Sequence, residues 1–188
     1  MNRQGTRVAE HEGDRPHGGI PLANRFRHAT LCGLLISMWC LSCTGSSDPG
    51  IEWQLGQSPE SEGWRVTVHS LSPLPNDPYR QPSNGRVFVA VQLTLENHSP
   101  RIRYVMPEQQ MILVDGDNHA YAPDREAAVI AARTLGWLIP EGEFPPGAIG
   151  KGAISYQIPI GTKDLRWVFH TALCPAAPTM TFALGDAP

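Results

Sequence analysis

The segment RVFVAVQLTLEN (residues 86–97) alternates so regularly that it leaves little choice of fold. Val87, Val89, Val91, Leu93 and Leu95 share one face, while Phe88, Ala90, Gln92 and Thr94 share the other. Successive side chains of a strand point to opposite sides, whereas a helix repeats about every 3.6 residues, so this period of two demands a half-buried strand. The β-branched valines reinforce the choice. One strand cannot bury its apolar face alone, so the rest of the chain must supply partners of the same kind.

It does. In WRVTVHSL, Trp64, Val66 and Val68 lie opposite Arg65, Thr67 and His69. QMILVDGDNHAY predicts two strands, 109–114 and 119–121, around a turn at Asp115, Gly116, Asp117 and Asn118, because Asp-Gly favours the tight hairpin turn. GAISYQIP sets Ile154, Tyr156 and Ile158 against Ala153, Ser155 and Gln157, and LRWVFH and TMTFAL complete the set. Pro73, Pro75, Pro78, Pro82, Pro145 and Pro146 punctuate the runs. About seven short strands with turn signals between them predict an all-β fold, a two-sheet antiparallel sandwich. The exception is residues 124–135. Asp124 can cap a short helix in which Ala127, Ala128, Ala131 and Ala132 are good formers, giving a helical crossover between the sheets.

Upstream, Ala29 to Leu41 carry no charge. A spanning helix needs about 20 apolar residues, so this stretch is short for a membrane span. It fits the h-region of a secretory signal, about 7–15 residues long, with Arg25, Arg27 and His28 just ahead of it. Residues 1–42 are therefore expected to be a signal peptide with an extended n-region. An ordinary cleaved signal, an uncleaved anchor and a buried helix remain open as alternatives. The end of the stretch, Leu41-Ser42-Cys43, resembles a bacterial lipobox, with Cys40 where leucine is usual. That resemblance implies cleavage before Cys43 and a diacylglyceryl group on its thiol. Two acyl chains suffice for stable anchoring. The expected location is extracytoplasmic, lipid-anchored to the cell membrane or outer membrane. Residues 43–62 are then a flexible tether, with a short strand near 51–55, and residues 63–186 the sandwich domain. With Cys32 and Cys40 in the signal and Cys43 acylated, Cys174 is left as a small apolar filler rather than part of a disulfide framework. From Cys43 onward there are 10 Lys and Arg against 15 Asp and Glu. That balance argues against nucleic acid, which needs a basic stripe, and gives no electrostatic help at an anionic membrane.

The order of strands is similar to the DUF4352 family. The residues that carry the resemblance are WRVTV (64–68), GRVFVAVQLTLEN (85–97), MILVDG (111–116), Pro146-Gly147 and GAISYQIP (152–159), together spanning roughly residues 61 to 170. The resemblance implies a secreted or lipid-anchored bacterial β-sandwich of immunoglobulin-like fold, and residues 124–135 fall where such domains carry variable insertions. It implies a fold and a location, not an activity.

The residues themselves offer little chemistry. His69, His98, His119 and His170 are scattered, no His pair stands one helical turn apart, and no Cys pair has zinc spacing. Taking Asp115 as the first position of a calcium loop puts Asp117 and Glu126 in place, but His119 and Ala120 fall where an oxygen ligand and a glycine are needed. Ser99 and Ser155 lack a nucleophile elbow. Asn97-His98-Ser99 is a formal glycosylation sequon that suits a strand-ending turn. Glu141 and Glu143 are paired carboxylates on a Gly- and Pro-rich loop, which suggests an envelope hydrolase as an alternative function. No catalytic residue, metal or cofactor is expected.

Two loops point instead to recognition. Residues 72–85 carry Tyr79 and Arg80, and residues 135–147 carry Trp137 and Phe144. Aromatic and arginine side chains on loops are the types that anchor interfaces. The expected function is a binding module of the cell envelope that meets a protein partner through these four residues. The plainer reading of Trp137 and Phe144 is that they plug an end of the sandwich, and an accessory domain without a ligand is the third alternative.

Overall fold

The alternating segment becomes β4 (Arg86–Asn97), the spine of the molecule. The computed structural model describes residues 51–174 and 176–188. In chain order they form β1 (Glu52–Trp53), β2 (Glu60–Ser61), β3 (Trp64–Pro73), β4, β5 (Arg103–Val105), α1 (Pro107–Gln110), β6 (Met111–Val114), β7 (Ala120–Tyr121), α2 (Arg125–Leu135), β8 (Gly142–Phe144), β9 (Ile149–Pro159), β10 (Leu165–His170) and β11 (Thr179–Gly185). One sheet runs β2-β3-β4-β9, the other β1-β11-β10-β6-β7, and β5 pairs with β8. All pairings are antiparallel except β1 with β11. The fold is the β-sandwich that the alternation predicts.

The core lies between the two larger sheets. Trp64, Val66 and Val68 of β3, Val89 to Leu95 of β4 at alternate positions, and Ile154, Tyr156 and Ile158 of β9 pack with Met111, Leu113, Trp167, Phe169, Met180 and Phe182. Trp64 meets Phe169 edge-on, with ring centroids 5.8 Å apart. Both buried indoles find acceptors: Trp167 Nε1 donates to Tyr156 Oη at 2.8 Å, and Trp64 Nε1 to the Thr171 carbonyl at 3.1 Å. Burial pushes the Tyr156 phenol far above its usual range, against the opposing bond from Trp167.

Several boundaries differ from the sequence reading. The short strand expected near 51–55 forms as β1, and β2 adds a second one in the segment expected as tether, each paired into one of the sheets. The two-residue strands are too short to show periodicity. The strand expected from residue 109 starts at Met111, because Pro107 opens a single helical turn. Gln110 holds that turn, accepting from the Met106 amide at 2.8 Å and donating to the His170 carbonyl at 3.1 Å. The segment expected as a signal peptide (1–42), the cysteine expected to be acylated (Cys43) and the part of the expected tether up to residue 50 lie outside the described residues. Among the described residues, no helix is long and apolar enough to cross a membrane.

Helix α2 forms as predicted, with Asp124 Oδ1 accepting from the Ala127 amide at 2.8 Å and Gly136 closing it in the left-handed region at φ 70°. Its apolar stripe, Ala127, Ile130 and Ala131, rests on Phe88, Ala90 and Ala153. The supposed outer face of β4 is thus a second, smaller core over its first half. Both flanks of α2 also bond to the open edge of β9. The Asp124 amide donates to the Ser155 carbonyl at 2.7 Å, and the Ala153 amide to the Leu138 carbonyl at 3.1 Å. The crossover therefore covers an edge that would otherwise offer unpaired backbone groups. Gly152 makes this possible, since a Cβ there would sit 1.9 Å from the Leu138 carbonyl oxygen.

Candidate functional site

The loop between β3 and β4 is not loose. Asp77 is 2% exposed, and its Oδ1 accepts from the Tyr79 amide at 2.8 Å and the Arg80 amide at 3.2 Å. Its Oδ2 takes the guanidinium of Arg133, in the last turn of α2, and Gln81 Nε2 donates to its carbonyl. Arg133 in turn lies over the Tyr79 ring, 5.9 Å from the centroid. Tyr79 itself is 81% exposed. An aromatic ring is thus presented to solvent on a backbone fixed from within, with a cation against one side. Arg80 is half-buried and contributes its amide to the turn.

The other expected contact residues divide. Trp137, just past the end of α2, is half-buried and packs on the smaller core. Phe144 is 6% exposed and meets Trp64 edge-on at 5.6 Å. Its assignment as a contact residue is corrected: β8 turns its ring inward, and it closes an end of the main core. The structure brings Tyr79 and Trp137 to the same, C-terminal, end of α2 and leaves Phe144 out.

Beside α2 runs a shallow apolar groove of about 490 Å³, lined by Ala128, Val129, Ala132, Leu138 and Ile139 with Glu108, Arg125 and Glu141 at its rim. Arg125 reaches Glu108 Oε1 at 2.9 Å and ties α2 to α1. The Glu108 carboxyl is lowered, first by its own backbone amide and then by Arg125. The paired carboxylates face different neighbours. Glu143 accepts from Tyr104 Oη at 2.9 Å, whereas Glu141 borders the groove, and both are exposed.

At the β6–β7 hairpin a second buried carboxylate does similar work. Asp115 Oδ1 accepts from the Asp117 amide at 3.0 Å and the His119 amide at 2.9 Å. Its Oδ2 accepts from Tyr121 Oη at 2.7 Å, and His119 Nδ1 lies 3.1 Å away. Burial alone would raise this carboxyl. The hydroxyl of Tyr121 and the amide and ring of His119 outweigh it and hold the pKa at about 2. These oxygens lock the hairpin that the calcium-loop pattern superficially matched. Asn97 ends β4, its Nδ2 donating to the carbonyls of Arg101 at 2.8 Å and Phe144 at 2.7 Å. His98 sits between Glu60 and Glu96. Cys174 is half-buried in the turn after β10. Among the described residues, no cluster of three His, Cys, Asp or Glu side chains is placed to hold a metal.

Asp77 and Arg133 were missed by the sequence. Asn-Asp-Pro at residues 76–78 is an Asx-turn signal and could have marked Asp77. Nothing in the sequence marks its pairing with an arginine 56 residues away.

The two-layer arrangement defines the class of protein, an all-β sandwich with a helical crossover on one face. The chain belongs to the DUF4352 family, described as a domain of unknown function, which it matches over residues 53–178. Among solved structures it is similar to a conserved hypothetical protein from Bacillus anthracis, at 17% identity and a TM-score of 0.50, covering 73% of this chain and 96% of that one. It is also similar to the yjhA protein of Bacillus subtilis, at 13% identity and a TM-score of 0.52, with 70% and 99% covered. A third is a candidate lipoprotein, ycdA, of Bacillus subtilis subsp. subtilis str. 168, at 13% identity and a TM-score of 0.53, with 68% and 38% covered. At these identities the likeness is one of fold. No curated protein matches the sequence.

Proposed function

We propose that this chain is a non-catalytic binding module, lipid-anchored through Cys43 on the outer side of a bacterial membrane, that meets an envelope protein at the C-terminal end of α2. The observation that carries it is Tyr79, an exposed aromatic ring whose backbone is fixed by Asp77 and whose face is backed by Arg133. Aromatic and arginine side chains dominate the energetics of protein interfaces, and a preordered contact loses less entropy on binding. Support for the location comes from the short apolar leader, the Leu41-Ser42-Cys43 motif and the likeness in fold to a candidate lipoprotein. The alternative of a hydrolase built on Glu141 and Glu143 draws no support from their separate, exposed surroundings.

Two measurements test the proposal. Mass spectrometry of the mature N-terminus should find Cys43 acylated, and a full-length chain with an unmodified thiol would refute the anchor. A photo-crosslinking residue at position 79 in intact cells should give a discrete protein adduct, whereas the same residue at Ile160, exposed in the β9–β10 turn, should not. Adducts at neither position, or the same adducts at both, would refute the contact surface.

A further inference from the structure

Beyond the end of α2 the outer face of the four-stranded sheet is left uncovered, and a pocket of about 310 Å³ opens there. Its floor is polar, made by His69 of β3, Gln92 and Thr94 of β4 and Lys151 of β9, and Trp137 with Leu138 forms a wall. The register explains why these side chains meet. Gln92 pairs with Ala153 and Thr94 with Lys151 across β4 and β9, so the face that carries α2 over Ala153 continues into this floor. On β3 the ladder slips between Val68 and Ser70, making His69 the extra residue of a bulge. Bulges re-aim a side chain and gather at functional sites. Here His69 Nε2 lies 2.9 Å from Thr94 Oγ1, and Thr94 is 7% exposed.

We propose that this pocket binds an anionic monosaccharide unit, a pyranose ring carrying a carboxylate. Three features select that class. A ring of this kind has an apolar face suited to an aromatic wall and hydroxyls suited to an amide, a hydroxyl and an imidazole. The lining includes the ammonium of Lys151 and no carboxylate, so it favours an acidic ligand. The volume stands at the low end of the roughly 300–1,000 Å³ typical of ligand pockets, enough for a single sugar rather than a chain. Neither Tyr79 nor Arg133 lines the pocket, so this site and the Tyr79 contact surface stand or fall separately.

The test is titration of the protein with glucuronic acid, followed at the indole N–H resonance of Trp137. Glucuronic acid should shift that resonance saturably, glucose should bind about tenfold more weakly, and acetate or inorganic phosphate should leave it in place. Lys151→Gln should remove the preference for glucuronic acid over glucose, and Gln92→Ala should weaken both sugars. Both variants change side chains on the open face, and an unchanged amide spectrum elsewhere checks their fold. The site is overturned by an unmoved Trp137 resonance, by acetate or phosphate acting as well as the sugar acid, or by affinities unaltered in both variants.

Discussion

Two buried aspartates hold two loops by the same device, and the loops differ in what they leave for the outside. Asp115 accepts from backbone amides two and four residues ahead, and its remaining oxygen faces Tyr121 and His119 of the same hairpin. Asp77 accepts from amides two and three residues ahead, but its remaining oxygen takes Arg133 from a helix distant in sequence. The first arrangement closes on itself. In the second, the arginine bridges loop and helix, and the loop's aromatic ring stays exposed against it. A carboxylate satisfied locally makes a turn; one satisfied from another element fixes a surface.

The largest effect should come from disturbing the frame that carries Arg133. Gly152→Ala puts a methyl group into the Leu138 carbonyl, and the backbone of the α2 crossover must move. A loss of about 3 kcal/mol or more is expected in urea denaturation. If stability holds, α2 does not depend on its hydrogen bond to β9. Asp77→Ala comes next. It leaves two backbone amides and a half-exposed guanidinium without their acceptor, and should cost about 2 kcal/mol in the same measurement.

Asp115→Asn should have a smaller effect with a distinctive pH dependence. The folded carboxyl titrates at about 2 rather than at 3.8, so its contribution is present above pH 3.8 and is lost as pH falls toward 2. Thermal melts should show the variant less stable than wild type near neutrality, with the gap closing over that interval. A gap independent of pH would mean that the charge is not what the hairpin uses. Smallest of all is Tyr79→Ala. Its ring is exposed, and stability should change by less than about 0.5 kcal/mol. A larger loss would show the ring to be part of the fold rather than a contact presented by it.

The same contrast explains what could be read from the sequence. The strands of the core were legible because burial on one face imposes alternation, as in β3 and β10. The Asp115 hairpin was legible because the bonds of its carboxylate are local and Asp-Gly marks the turn. The helix was legible from Asp124 and its alanines. That it would cover Phe88 and Ala90 was not, because a strand buried on both faces blurs its own pattern. Phe144 stayed open between contact and end plug for a related reason: aromatic residues in a loop look alike in sequence whether they face the core or solvent. Asp77, Arg133 and the pocket beneath Trp137 join residues far apart along the chain, and only the fold brings them together.

The central claim is that the Tyr79 surface is ordered before any partner arrives. Amide hydrogen exchange by NMR tests it directly, because the Tyr79 and Arg80 N–H groups should be protected to a degree comparable with those of Asp117 and His119. In Arg133→Ala that protection should fall at Tyr79 and Arg80 and persist at Asp117 and His119. Exchange of the Tyr79 and Arg80 amides at unprotected rates in the wild-type protein would contradict the account.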